Sequence, residues 1–92
     1  MFAVVSTVRI AAGQFETASK ALRTDVIPRV SKAPGFTKGV WTINADKTQG
    51  HSVVLFGSKE QADAAAQMAR SGPMPGDVTL AYLEIYEVVA EA

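Results

Sequence analysis

The sequence has no cysteine and only one histidine, and these shortages exclude several kinds of chemistry. Without cysteine, the chain forms neither a disulfide nor a thiolate metal site. With His51 as its only histidine, one chain cannot assemble a multi-histidine metal site. A glycine-rich phosphate loop of the Walker or dinucleotide-binding type is also missing. We therefore expect no metal and no cofactor.

The sequence also has no excess of either charge, because nine Lys and Arg residues balance nine Asp and Glu residues. Nucleic acids and anionic membranes attract proteins with a basic field, so we expect neither as a partner. No apolar run approaches the roughly 20 residues that span a bilayer, and the amino terminus lacks the basic region of a signal peptide. These absences predict a cytoplasmic protein.

What the chain does have is a regular succession of apolar patterns over residues 1–92, a length typical of one domain. Strands are predicted at residues 3–10, 36–44, 51–57 and 78–89. After the first strand, apolar residues recur every three or four positions, which predicts an amphipathic helix from about Gln14. The members of this apolar stripe are Phe15, Ala18, Leu22, Val26 and Val30. Pro28 predicts a kink or an early end of the helix.

A second helix is predicted after the third strand. Ser58 is a good N-cap, and Gln61 three residues later completes a capping box. Alanines at 62, 65, 66 and 69 share one helical face, which lets this helix lie close to a sheet. The element order is therefore βαββαβ. With right-handed crossovers it gives the ferredoxin-like α+β plan, a four-stranded antiparallel sheet with both helices on one face.

The fourth predicted strand is apolar on both faces. One face carries Leu80, Tyr82, Glu84 and Tyr86, and the other carries Ala81, Leu83 and Ile85. Because the helices cover only one face of the sheet, something else must cover the other. A second copy of the sheet does this most simply, so we expect a homodimer that packs through the sheet face and strand four. The alternative is a monomer with a tolerated apolar surface.

At this level the chain resembles the dimeric α+β barrel proteins, specifically the antibiotic-biosynthesis-monooxygenase-like (ABM) domains. The resemblance covers nearly the whole chain. It is carried by Gly13 before the first helix, Pro-Gly-Phe at 34–36, the strand-to-helix segment 50–66 and Glu-Ile-Tyr-Glu-Val-Val at 84–89. The resemblance implies a homodimer with a cavity in each subunit. Members of this group oxidise polycyclic phenols with oxygen and no cofactor, degrade haem or isomerise lactones.

Haem-degrading relatives carry an asparagine on the first strand, a tryptophan within the second helix and a histidine just after it. The matching positions in this chain are Ser6, Ala65 and Pro75, so all three functional residues are absent. The resemblance therefore argues against haem as the ligand of this chain.

Trp41 and His51 are predicted to share one face of the hairpin between strands two and three, if its centre lies near Lys47. In that arrangement Trp41 stacks on a planar substrate while His51 acts as a base. In the alternative, Trp41 belongs to the core or the dimer interface, and His51 is a solvated residue at the hairpin end.

Strand four offers a second set of candidates. Glu84 lies between two phenols and could accept a substrate proton, with Tyr82 and Tyr86 as orienting donors to the substrate. The alternative is a dimer-interface strip in which Glu84 pairs with a basic residue. Ser6 on strand one is a further candidate for substrate contact, or else a small filler in a tight sheet.

With the resemblance, these residues predict a cofactor-independent monooxygenase, or a related isomerase or cyclase, acting on a planar hydroxylated apolar molecule. A deprotonated electron-rich phenol itself passes an electron to oxygen, so the protein need only bind it, deprotonate it and exclude water. Two alternatives stay open: a non-catalytic protein that holds a small apolar ligand, and a structural or stress-related dimer with a filled core. A cavity above about 300 Å³ with convergent polar groups would exclude the filled core.

Overall fold

The structure, a computed structural model, describes residues 1–72, 74 and 77–92. Within these ranges, four strands form one antiparallel sheet in the order β2-β3-β1-β4. The strands are β1 Phe2–Ile10, β2 Phe36–Ile43, β3 Gln49–Phe56 and β4 Val78–Glu87. Each lies within two residues of its predicted bounds, and the predicted ferredoxin-like α+β fold is confirmed.

The segment from Phe15 to Ser31 is helical throughout but changes its winding in the middle. It consists of α1 (Phe15–Ala21), a π-helical turn (Leu22–Val26) and α2 (Ile27–Ser31). Pro28 has no N–H with which to continue the helical pattern. One residue earlier, the Ile27 N–H reaches back five residues to the Leu22 carbonyl, which is the spacing of a π-helix. The helix therefore widens before the proline and does not end there.

The second long helix, α3 (Lys59–Ser71), begins at the predicted cap. The Ser58 side-chain oxygen accepts a hydrogen bond from the Gln61 N–H at 3.2 Å. The Gln61 side chain itself lies against Gly35, where a Cβ atom would collide with it. Gly35 also has a φ of +82°, so both its space and its backbone conformation favour glycine.

The core lies where α3 packs onto the sheet. Ala62 and Ala66 are completely buried, and Phe56 is 1% exposed. Phe36 contacts the Phe56 ring edge-on, with centroids 6.4 Å apart. The buried sheet residues of this cluster are Val4, Val54, Phe56 and Leu83. The small alanine side chains bring α3 close to the sheet, as the sequence predicts.

A β-bulge divides the fourth strand. Tyr82 pairs with Thr7 and Leu80 pairs with Val8, which leaves Ala81 without a partner on β1. The extra residue moves Leu80 onto the same sheet face as Leu83. The simple alternation predicted for strand four, with Leu80 and Tyr82 on one face, is therefore wrong.

Candidate functional site

A cavity of about 720 Å³ lies between the sheet and the first helical segment. Its sheet wall uses alternate residues of the two central strands, and its opposite wall uses the helix from Phe15 to Val30. The C-terminal half of α3 closes one side of the cavity with Ala65, Met68 and Ala69. This volume lies within the usual range for small-molecule sites and is too large for the filled core that the sequence left open.

The apolar stripe of the first helix forms the cavity wall. Its five members all line the cavity: Phe15, Ala18, Leu22, Val26 and Val30. None of them is fully buried, although an amphipathic helix ordinarily buries this stripe against the core. The stripe predicted from the sequence is therefore present, but it lines the cavity, and only Val30 of its members also packs against the core cluster.

The inner face of the sheet is defined here as the face toward the helices. Its three middle rows are apolar except for the central one. Trp41, Ser52, Ser6 and Leu83 form one row across the four strands. The Ser6 and Ser52 hydroxyl oxygens lie 2.5 Å apart and share a hydrogen bond. The flanking rows carry valine, isoleucine, leucine and glycine: Gly39, Val54, Val4 and Ile85 on one side, and Ile43, Gly50, Val8 and Leu80 on the other. A hydroxyl pair thus marks the middle of an apolar wall.

Trp41 lines the cavity from the edge strand β2. Its indole extends along the strand over Gly39, where a Cβ atom would lie 2.6 Å from the ring atom Cζ3. A side chain at Gly39 would therefore displace the indole. Trp41 also packs against the core cluster, so both predicted alternatives, core residue and cavity wall, describe its position.

Positive charge lies at the rim of the cavity. Arg23 and Arg29 belong to its lining, and both residues are exposed. Arg29 donates to the Asp25 carboxylate at 3.1 Å, one helical turn away. At the other end of the same helix, the Lys47 ammonium lies 4.7 Å from the centre of the Phe15 ring, a cation–π contact between the β2–β3 loop and the cavity wall.

His51 and Trp41 lie on opposite faces of the sheet. The register pairs Thr42 with His51 and Trp41 with Ser52. The His51 Nδ1 atom shares a hydrogen bond of 2.9 Å with the Thr7 hydroxyl, on the face away from the helices. The prediction that Trp41 and His51 share a face is wrong, because a shift of one residue in a hairpin moves every side chain to the other face.

The strand-four candidates also lie on the outer face, defined here as the face away from the helices. Tyr82, Glu84 and Tyr86 follow the bulge at alternate positions, and the two tyrosine hydroxyls form a hydrogen bond with each other. This hydrogen bond raises the pKa of Tyr82 to about 12. Of the predicted site residues, the structure therefore brings Ser6 and Trp41 together on the inner face. His51 also belongs to the cavity lining, although its Nδ1 atom forms its hydrogen bond on the outer face. Glu84 and the two tyrosines lie outside the described lining.

Sequence reasoning missed Ser52, which completes the hydroxyl pair with Ser6. The signal that could have identified Ser52 is the hairpin register, because the register in the structure pairs Ser52 with Trp41 on the inner face. Of the positions that match haem-degrading relatives, Ser6 and Ala65 line the cavity. Pro75, the third, lies outside the described residues.

Two further observations concern the part of the chain that the structure describes. It contains no group of three or more His, Cys, Asp or Glu side chains arranged to hold a metal ion. None of the described helices is both long enough and apolar enough to cross a membrane.

Comparison with solved structures identifies the fold. The heme-degrader MhuD from Mycobacterium tuberculosis, solved with two hemes bound in its active site, matches 100% of this chain and 99% of its own, with a TM-score of 0.75 and 20% identity. A protein assigned as an antibiotic biosynthesis monooxygenase from Chloroflexus aurantiacus matches 99% of this chain and 95% of its own (TM-score 0.68, 15% identity).

The monooxygenase ActVA-Orf6 of Streptomyces coelicolor, solved in complex with the ligand Nanaomycin D, matches 99% of this chain and 89% of its own, with a TM-score of 0.63 and 13% identity. Neither a known family profile nor a curated protein sequence matches the chain. The chain therefore has the ABM-like α+β fold, and the resemblance predicted from its sequence is confirmed at the level of the fold.

Proposed function

We propose that this chain binds a flat, hydroxylated, apolar small molecule in the cavity and oxidises it with molecular oxygen, as a cofactor-independent monooxygenase. The observation that carries the proposal is the apolar stripe of the first helix, whose five members line a cavity of about 720 Å³ and of which only Val30 also packs against the core cluster. Ligand pockets are concave and mostly apolar, with a few placed polar groups. Two of the matched structures are named as monooxygenases, which supports the choice of reaction.

The cavity residues have distinct tasks in this proposal. Trp41 stacks against the ring system, and Ser6 contacts a substrate oxygen. Arg23 at the rim supplies the positive charge that favours the ionised phenol, because a nearby cation lowers the pKa of an acid. Glu84 lies on the outer face, and the Nδ1 atom of His51 shares a hydrogen bond with Thr7 on that face, so the proposal gives neither residue a proton-transfer task within this cavity.

The proposed reaction uses O₂ as its only co-reactant. The bound phenolate gives one electron to O₂, and the resulting superoxide and substrate radical combine at a ring carbon that carries hydrogen. The peroxide takes up the proton that the phenol released on ionisation, and it then loses water as its O–O bond and the C–H bond break. One oxygen atom remains as a carbonyl, the other leaves as water, and the substrate has lost four electrons in total. An apolar cavity protects these intermediates from solvent.

Oxygen uptake with anthrone, whose enol form is a flat three-ring phenol, tests the proposal. We expect protein-dependent consumption of one O₂ per anthrone with formation of anthraquinone, above the rate without protein. Arg23→Gln should lower the rate on the order of threefold to tenfold, since exposed charges are partly screened. Lys20→Gln is the matched control, because Lys20 lies on the same helix outside the cavity lining. No uptake above background would contradict the reaction.

A second candidate is a non-catalytic protein that holds the same kind of molecule. The observation in its favour is that the described cavity lining holds no carboxylate base, because Glu84 lies on the outer face. In that case anthrone would bind, as measured by calorimetry, and oxygen uptake would stay at background. Binding together with uptake would favour the monooxygenase.

We also propose that the protein is a homodimer through the outer sheet face and strand four. Val40, Val53, Tyr82 and Tyr86 all lie on this face and are 40–48% exposed in the single chain. Large apolar side chains grouped on one exposed face ordinarily indicate an interaction surface. Sedimentation should give twice the chain mass, and Val53→Asp should shift it toward the monomer. A monomeric wild-type protein at tens of micromolar would contradict the dimer.

The expectation that haem is not the ligand remains a prediction. MhuD has the same fold and binds two hemes, so the fold leaves the question open. Of the described lining residues, His51 alone has an imidazole, and its Nδ1 atom faces the outer side. In a titration with haem, the Soret band should stay at the position of free haem and should not shift as it does when an imidazole binds the iron. Such a shift, retained at stoichiometric haem, would overturn the expectation.

A further inference from the structure

We propose that the hydroxyl pair of Ser6 and Ser52 recognises an oxygen atom of the ligand and thereby selects oxygenated flat molecules over hydrocarbons of the same shape. This proposal rests on the ligand-binding function of the cavity and names the chemical class that the cavity accepts. It assigns Ser52 to the site beside Ser6.

The position of the pair supports this task. Ser6 and Ser52 are cross-strand partners on the two central strands, and the rows on either side carry only apolar residues and glycine on the inner face. Both serines line the cavity and are half-buried. A flat ligand lying on this wall therefore meets polar atoms at its middle and apolar atoms around them.

The hydrogen-bond inventory of the pair leaves one donor free. Each serine has one O–H donor and two acceptor lone pairs. At 2.5 Å apart, one hydroxyl donates to the other, whichever the direction. The second O–H group then has no acceptor within the pair, and it can donate to a ligand carbonyl or phenolate oxygen. The remaining lone pairs can accept from a phenol O–H, so the pair serves both forms of the substrate.

Selection follows from the cost of leaving this donor unpaired. A hydrocarbon that displaces water from the wall covers the free O–H without replacing its hydrogen bond. An oxygenated ligand supplies the partner, and sites built to hydrogen-bond a ligand group discriminate against analogues that lack it. One such bond corresponds to a factor of roughly five to ten in relative affinity.

The alternative is a purely structural role, in which the pair only stabilises the sheet, as cross-strand hydroxyl pairs do. The chain offers a matched control, because Thr7 and His51 form a hydroxyl–imidazole pair between the same two strands on the opposite face. Thr7→Val removes that bond at a residue outside the cavity lining. A structural role would make both pairs matter for stability and neither for ligand choice.

Calorimetry with 1-naphthol and naphthalene tests the proposal. The readout is the ratio of their two dissociation constants, which a general loss of stability does not change. In S6A/S52A the preference for 1-naphthol should fall at least about fivefold from its wild-type value. It should fall less in S6A and S52A, and T7V should keep the wild-type value. If the double variant does not fold, as judged by circular dichroism, the single variants decide through the same ratio.

Two results would overturn the proposal, and they are distinguishable. If both probes bind and the ratio is unchanged by loss of the hydroxyls, the pair does not select the ligand, while the cavity remains a binding site. If neither probe binds the wild-type protein, the proposed binding function fails as well.

Discussion

The distinction between packed core and cavity predicts opposite effects of one substitution at two neighbouring residues. Ala65 lines the cavity, whereas Ala66 is completely buried in the core cluster. Both lie in the interior of α3, so replacing either with leucine changes the helix propensity equally. Any difference between Ala65→Leu and Ala66→Leu therefore reports the space around each side chain.

The magnitudes follow from packing. At Ala66, three added carbon atoms overfill a close-packed site, which costs about 1–3 kcal/mol. For a domain of this size, about 2 kcal/mol corresponds to a fall in Tm of about 8–16 °C. At Ala65 the added carbons enter open space beside apolar residues. Partial burial there should leave stability within about 1 kcal/mol of wild type, on the stabilising side.

Differential scanning calorimetry on the two variants gives the comparison directly, and titration with 1-naphthol adds a second readout. We expect Ala65→Leu to keep the wild-type Tm or raise it while weakening 1-naphthol binding, because the leucine occupies ligand space. An Ala65→Leu variant that loses as much stability as Ala66→Leu would refute the reasoning, since the cavity would then be closed in solution.

Three further predictions address the local structure. Ser58→Ala removes the cap of α3 and should cost about 1 kcal/mol, a fall in Tm of about 4–8 °C by calorimetry, whereas Ser58→Asp should keep most of the stability. Gly39→Ala should displace the indole of Trp41 and shift its fluorescence emission; an unchanged spectrum would contradict the packing over Gly39. Tyr82 should ionise near pH 12 by absorbance at 295 nm and return toward 10 in Tyr86→Phe. Folding raises the pKa of Tyr82, so the hydrogen bond between Tyr82 and Tyr86 contributes to stability below pH 10. This contribution is lost as the pH rises toward 12.

In the proposals above, the inner face of the sheet binds the ligand and the outer face contacts the partner subunit, and one strand contributes to both. On β1, Ser6 faces the cavity, while its neighbours Val5 and Thr7 face outward. The alternation of side chains therefore lets one strand serve a ligand on one side and a partner subunit on the other. In the proposed dimer, the same division accounts for the two apolar faces of β4, of which the helices cover only one.

The fold was predictable from the sequence because its signals are local. The stripe from Phe15 to Val30, the cap at Ser58 and the alanine face of α3 are each set by residues a few positions apart, and all are present. Whether the stripe meets the sheet or a cavity depends instead on packing between distant segments. No spacing in the sequence reports that distance, so the cavity itself was predictable only through the resemblance.

The site was less predictable because two register details decide which residues share a face. In the β2–β3 loop, the Asn44 side-chain oxygen accepts hydrogen bonds from the backbone N–H groups of Thr48 and Gln49, which closes a tighter hairpin than expected. That closure moves His51 away from Trp41. On β4, the sequence does not reveal the bulge at Ala81. Because both faces of that strand are apolar, a change in the alternation of side chains does not alter the hydrophobic pattern.

The most direct test of the central claim, that the cavity is a binding site for flat oxygenated molecules, uses Trp41 as its reporter. It is the only tryptophan, and it lines the cavity. Titration with 1,4-naphthoquinone should quench its fluorescence in a saturable way, and Ala65→Leu should weaken that saturable quenching. A linear, collisional response that is the same in wild type and Ala65→Leu would contradict the account.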